Sequence, residues 1–253
     1  MTIDPEQNVH RFIHGPLHEQ ILFDRYRDYR KLVTAVRNGD SKQARTYIEN
    51  CLDAIHEVNR LYTPEEENMQ QMRNRLISFN ALLGFLCMES NAPVLFLHSL
   101  NRYFDKRIET VSTEEQCLAY TTEMLDEYCA LILSVRDTQQ YGEFSERVME
   151  LFSMHVGEQI SLKQVAAQMG VAPETLSRKF HAETGKTISQ ARNEQRIKLA
   201  QLYIREDDMT LTQIAQRVGF SDASYFSKVF LRYTGMQPSA YQDVLRRKCE
   251  AAA

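Results

Sequence analysis

Two short helical stretches carry side chains able to hydrogen-bond to the edges of nucleic-acid bases. In the first, Leu176 and Phe180 are four residues apart and must face a core, which turns Glu174, Ser177 and Arg178 outward. A guanidinium so placed can bridge O6 and N7 of guanine, and a carboxylate can accept from N4 of cytosine. Glu174 has a second reading, since the same charge would repel phosphates. In the second stretch Phe226 and Phe230 take the inward places and leave Ala223, Ser224, Tyr225, Ser227 and Lys228 outside. Ala223 could pack on a thymine methyl, and Lys228 could reach a guanine or a phosphate. Lysine lacks the planar fork of arginine, so Arg178 is the strongest single base-reading candidate. The second stretch, being less basic, could also serve mainly for backbone contacts and bending. Lys179, Lys186, Arg192, Arg196 and Arg232 are candidates for phosphate contacts. For any one of these five a solvated helix face is the commoner role.

The elements that must hold these residues are written twice. Ser161-Leu162-x-Gln164-x-Ala166 returns as Thr210-Leu211-x-Gln213-x-Ala215, and Gly170 returns as Gly219. Leu176-Ser177-Arg178-x-Phe180 returns as Phe226-Ser227-Lys228-x-Phe230, and Thr184-Gly185 returns as Thr234-Gly235. Ser161 with Gln164, and Thr210 with Gln213, read as capping boxes opening short helices. Gly170 and Gly219 stand where a helix end needs positive φ. Pro173 opens the second helix of the first copy, and Ser221 or Asp222 can cap that of the second. Short helix, glycine turn and short helix make a helix-turn-helix, whose second helix is the one that enters a major groove.

The doubled pattern resembles the DNA-binding domain of the AraC/XylS family of bacterial transcription regulators, over about residues 143 to 247. The family's connecting-helix run appears as Arg196, Ala200, Tyr203 and Ile204. Its second-unit signature appears as Ile214 through Phe230, and its closing Gly-x-x-Pro-x-x-Tyr as Gly235, Pro238 and Tyr241. The resemblance implies seven helices, reading positions that include Glu174, Ser177 and Arg178, double-stranded DNA as a partner, and activation by recruiting RNA polymerase. In the other half, Arg75-Leu-Ile-Ser-Phe-Asn80, Lys106-Arg107-Ile108-Glu109 and Tyr128-Cys129 look like the helical domain that precedes this head in some low-GC Gram-positive regulators. The sugar regulators of the family carry a β-barrel sensor there. This sequence lacks the strand alternation and turn glycines for one.

The expected fold is all-α. A loose arm (1–16) precedes a helical regulatory or oligomerisation domain (17–136), a polar link (137–142) and the head (143–248). Helical spacing of apolar residues breaks at Asn38-Gly39 and at Asn91-Ala92-Pro93, and new helices are signalled by Asp40 or Ser41, by Thr63-Pro64-Glu65-Glu66, and by a capping box Ser112-x-x-Glu115. That predicts a bundle of about five helices. In the head, Phe144, Val148, Leu151 and Phe152 form a stripe beneath the first unit, Thr187 or Ser189 caps the connecting helix, and a last helix runs from Pro238 to Lys248.

Charge is divided unevenly along the 253 residues. The net charge is −4, but from Gln140 onward 15 Lys and Arg face 13 Asp and Glu, against 15 and 21 before it. A head at +2 behind an acidic half at −6 suits a DNA reader of modest basicity that binds tightly only as a dimer or at low salt. The five cysteines (Cys51, Cys87, Cys117, Cys129 and Cys249) form no CxxC pair and read as buried thiols, with a redox switch as the alternative. Met1 to Gln20 is polar, and the longest apolar run, Phe79 to Met88, is half of a membrane span, so a soluble cytoplasmic protein without membrane contact is expected. His10, His14 and His18 recur at metal-ligand spacing, but Gly15-Pro16 interrupts the helix such spacing would need. No P-loop, GxSxG or HExxH occurs, so neither catalysis nor a cofactor or metal is expected. The apolar surface of residues 76 to 135 is the expected place for a homodimer seam or for a small-molecule or protein effector. The rival reading is an interaction protein whose degenerate head binds DNA weakly.

Overall fold

The computed structural model describes residues 16–50, 69–139, 141–158 and 160–252. Every regular element among them is a helix: α1 (Pro16–Arg37), α2 (41–50), α3 (Met69–Glu89), α4 (Val94–Glu109), α5 (Glu114–Gln139), α6 (Glu143–Met154), α7 (Leu162–Gln168), α8 (Pro173–Thr184), α9 (Ile188–Glu206), α10 (Leu211–Arg217), α11 (Ala223–Thr234) and α12 (Pro238–Ala252). None of these helices is long and apolar enough to cross a membrane. The expectations for the arm before Pro16, for the helix start at Thr63-Pro64-Glu65-Glu66, for Cys51 and Cys249 and for the histidine series His10, His14 and His18 lie outside the described residues or side chains.

The first five helices form a bundle around Leu32, Val36, Leu83, Leu100, Phe104, Ile108, Met124, Leu125 and Tyr128. α1 ends before Gly39, and Asp40 starts α2 by accepting the Gln43 N–H at 2.9 Å. Asn91, at φ 59°, turns the chain out of α3 as a left-handed asparagine can. The box expected at Ser112 and Glu115 is shifted by one residue. Thr113 caps α5 by accepting the Gln116 N–H at 3.2 Å, and the Gln116 side chain reaches back to the Ser112 N–H at 2.8 Å. Inside the bundle, the buried Asn80 amide donates to the Asp105 carboxylate at 2.8 Å and to the Asn101 carbonyl at 3.2 Å, while the Tyr128 hydroxyl donates to the Asn80 oxygen at 2.6 Å. Buried polar atoms paired in this way fix one register among α3, α4 and α5.

The segment between bundle and head is shorter than the composition suggested. Asp137, Thr138 and Gln139 continue α5, which leaves 140–142 before α6. Seven helices, α6 to α12, then build the head. Its first unit has a core of Val148, Phe152, Ile160, Val165, Ala166, Leu176, Phe180 and Ala191. The second unit packs around Ile197, Ala200, Ile204, Ile214, Phe226, Val229 and Phe230. α9 joins them, and α12 runs on to Ala252, four residues beyond the expected end.

Candidate nucleic-acid interface

Each of the two candidate reading helices is set by a repeated local device. Ser161 and Thr210 both complete a capping box, accepting the N–H of Gln164 and of Gln213 while those glutamine side chains return to the capping N–H groups at 2.7 and 2.8 Å. Thr187 does the same with Gln190 at the start of α9. The turns follow at Gly170 (φ 66°) and Gly219 (φ 86°). α8 then opens on Pro173 without a side-chain cap, whereas Asp222 caps α11 by accepting from the Ser224 and Tyr225 N–H groups at 2.7 and 3.3 Å. The likeness reaches single bonds. Ser177 and Ser227 each donate to the carbonyl four residues back, at 3.0 and 2.9 Å, and Thr184 and Thr234 do likewise at 2.7 and 2.8 Å.

With Leu176, Phe180, Phe226 and Phe230 buried, the opposite faces of α8 and α11 are open to solvent. Glu174 and Arg178 are exposed and Ser177 half-buried on α8, while Ala223, Ser224, Tyr225 and Lys228 are exposed and Ser227 half-buried on α11. At 3.6 residues per turn Glu174, Ser177 and Arg178 share one stripe, as do Ser224, Ser227 and Lys228. Ala223 and Tyr225 lie on the two flanks of the second stripe. Arg178 and Lys228, which occupy equivalent places, make no hydrogen bond or ion pair with another described residue. Both stripes continue one turn further, to His181 and Leu231, which are also exposed. Sequence reading passed over these two, although the i, i+3, i+4, i+7 spacing was there to find them.

The five cations proposed for phosphate contacts divide. Arg232 is exposed and makes no hydrogen bond or ion pair with another described residue, and Lys179 is exposed with its ammonium 4.1 Å from the centre of the Phe144 ring. Lys186 pairs with Glu194 at 2.6 Å. Arg192 donates to the carbonyls of Ile160 and Glu158 at 2.6 and 2.8 Å. Arg196 corrects the expectation outright. It is 7% exposed, donates to the carbonyls of Val156 and Glu158 at 3.3 and 2.8 Å, and lies 5.3 Å from the Phe220 ring centre. Burial, with Arg192 nearby, lowers its pKa to about 10. Its guanidinium is turned into the protein, where it fastens the segment between α6 and α7 to α9. Lys163 on α7 and Arg217 on α10 are exposed cations that the sequence reading left out.

Among the described residues no group of histidines, cysteines and carboxylates is arranged to hold a metal ion. Cys87 and Cys129 are buried, and that burial pushes each thiol up to about 12, far from the thiolate that redox chemistry requires.

Part of the chain is similar to known proteins. Residues 165–243 match a family model described as a helix-turn-helix domain. The HTH-type transcriptional activator RhaR of Cronobacter sakazakii is 33% identical over 102 residues, covering 40% of this chain and 36% of that protein. YtdP, an uncharacterized HTH-type transcriptional regulator of Bacillus subtilis, is 22% identical over 216 residues, covering 85% of this chain and 27% of its own. The C-terminal domain of AraT, a response regulator from Geobacillus stearothermophilus, superposes with a TM-score of 0.40 at 24% identity, over 42% of this chain and 88% of that one. The chain spans about a third of the length of these curated relatives. Residues 165–243, which cover most of the doubled helix-turn-helix, thus carry a helix-turn-helix domain both in their geometry and in their match to the family model.

Proposed function

We propose that the protein is a sequence-specific transcription regulator of the cytoplasm that inserts α8 and α11 into successive major-groove segments of double-stranded DNA. The observation that carries this reading is the pair Arg178 and Lys228: equivalent places in two units, exposed, and unpaired among the described residues. Two reading helices fixed on α9 suit groove faces about 34 Å apart, one turn of the duplex, and hence an asymmetric site of about 17 to 20 bp per monomer. Activation through contact with RNA polymerase is the mode that fits the relatives named as activators. Ile77, Phe85 and Met88 of α3, exposed on one stripe of the bundle, support a homodimer seam there, with an effector site on the same half as the regulatory input.

The test is a titration of labelled DNA from upstream of the protein's own gene at two salt concentrations, with wild type and Arg178→Ala. Tight, salt-sensitive binding that Arg178→Ala weakens on that DNA but not on random DNA is the expected result. Absence of binding to any duplex at low salt would refute the reading.

A further inference from the structure

The two halves of the chain are not joined evenly. α4 lies along α9, and Phe96 of α4 is buried within the core of the second helix-turn-helix unit. Leu95 of α4 and Leu131 of α5 pack against that same core, and Leu131 and Leu202 touch the bundle core as well. The two cores are therefore continuous. The first unit is built differently. α6 touches α4 and α5, yet among the described residues every side chain in or against the first unit's core comes from residues 144–191.

Charge fastens the same junction. α9 ends in Glu206, followed by Asp207 and Asp208, three carboxylates at the negative end of a helix dipole, where they are unfavourable unless neutralised. The cations that face two of them come from α4, and although burial still raises the Glu206 pKa, they offset part of that cost. Arg102 meets Asp208 at 2.8 Å and Glu206 at 3.5 Å, and Lys106 pairs with Asp208 and donates to the Glu206 carbonyl at 3.2 Å. Asp207 is held from the other side by Arg246 of α12 at 2.8 Å. Immediately before these carboxylates, Arg205 pairs with Glu127 of α5 at 2.7 Å and lies 5.8 Å from the Tyr103 ring centre. Thr210, which caps α10, stands two residues after Asp208. The bundle thus grips the turn from which the second unit hangs.

We propose that Phe96, Arg102 and Lys106 of the N-terminal half are positioning residues for the second reading helix, α11, and that the bundle acts on DNA through that unit and not through the first. A change in the bundle that moves α4 must shift or loosen the second unit, because that unit's core is closed by α4 side chains. The first unit, with a core of its own, keeps its grip. This inference rests on α11 being a DNA-reading helix, but the coupling itself can be measured without DNA.

Hydrogen exchange by mass spectrometry on the full chain compares wild type with Arg102→Ala/Lys106→Ala, Phe96→Ala and, as a control, Val148→Ala. The charge pair is about half exposed, so removing it leaves every core side chain in place even if Phe96→Ala fails to fold. The expected result is roughly tenfold faster exchange across residues 196–234 with less than about twofold change across 148–184, and the reverse pattern for Val148→Ala. Equal acceleration in both units, or acceleration confined to 69–139, would overturn the coupling. On DNA that the wild type protects, Arg102→Ala/Lys106→Ala should lose the footprint of the second segment first, and Arg102→Lys/Lys106→Arg should restore it. Parallel loss at both segments, or no rescue, would overturn the positioning role. A wild type that binds no DNA would count against the proposed function alone, and the exchange result would still decide the coupling.

Discussion

At the scale of residues, chemistry depends on whether a charged group has been left unspent. Arg178 and Arg196 are both arginines on helices of the head, and composition cannot tell them apart. Arg178 stands on the face opposite Leu176 and Phe180 and remains open, whereas Arg196 points between units and satisfies two carbonyls. Their substitutions should separate cleanly. Arg178→Ala is expected to weaken binding by roughly 1–3 kcal/mol at one base position while leaving the melting temperature unchanged, measured by titration on single-base variants of the site. Arg196→Ala should instead lower stability by about 2 kcal/mol, because it strands the Val156 carbonyl and leaves the Glu158 carbonyl to Arg192 alone, and should weaken binding equally on every sequence. The outward positions on α8 and α11 were legible because a four-residue apolar spacing fixes which way a helix faces. The inward turn of Arg192 and Arg196 was not, since the carbonyls they serve lie more than 30 residues away in sequence.

Elements were legible wherever a cap or breaker wrote their boundary. The boxes at Ser161 and Thr210, the proline at Pro173 and the glycine turns stand where the pattern placed them, and of the two caps offered for α9, Thr187 is the one used. The end of α5 carried no such mark, and the helix ran through the polar residues taken for a link. The sequence also treated Gly170 and Gly219 as equals, and they are not. A Cβ at Gly170 would meet nothing within 4 Å, but one at Gly219 would lie 2.5 Å from the Arg196 guanidinium. Gly170→Ala should cost about 1–2 kcal/mol from the left-handed backbone alone. Gly219→Ala should cost clearly more, since it also displaces a guanidinium held by two carbonyls, and paired thermal melts would check the order. Acid should act on α9 as well. Burial tends to raise the Glu194 pKa, but Lys186 and Lys198 together outweigh it and hold the carboxyl below its usual range. A carboxylate with depressed pKa contributes stability above its unfolded value and loses it as the pH falls through the folded one. The melting temperature should therefore decline below about pH 4, and Lys186→Gln should flatten that decline.

For the whole molecule, two domains on a short tether were the natural expectation, and the charge asymmetry between halves encouraged it. What the sequence could not reveal is that Phe96 leaves its own half. Phe96 sits in an apolar run of α4 whose residues all look alike, and only the tertiary arrangement decides which core each one enters. A head cut at residue 140 should consequently be less stable than the same head in the full chain, and by more in its second unit. Removing a buried phenylalanine alone costs about 3–5 kcal/mol, which is a large share of a small domain's stability. Comparing hydrogen exchange of residues 140–253 in isolation and in the intact chain would check this. Equal protection in the two would mean that the continuity of the cores carries no energy.

The carbonyl clasps of Arg192 and Arg196 have one more consequence. They tie the approach to the first unit onto α9, while the carboxylates at its far end tie down the second, so the 19 residues of α9 act as a ruler. An insertion of one residue in that helix would rotate one reading helix against the other by about 100°. One base pair gained between the two contacted segments would rotate their faces by about 34°. No small set of point changes can absorb either error. If α8 and α11 read DNA as proposed, the length of α9 and the spacing of the two contacted segments are therefore expected to be inherited together, with drift confined to the bases themselves and to the side chains that read them.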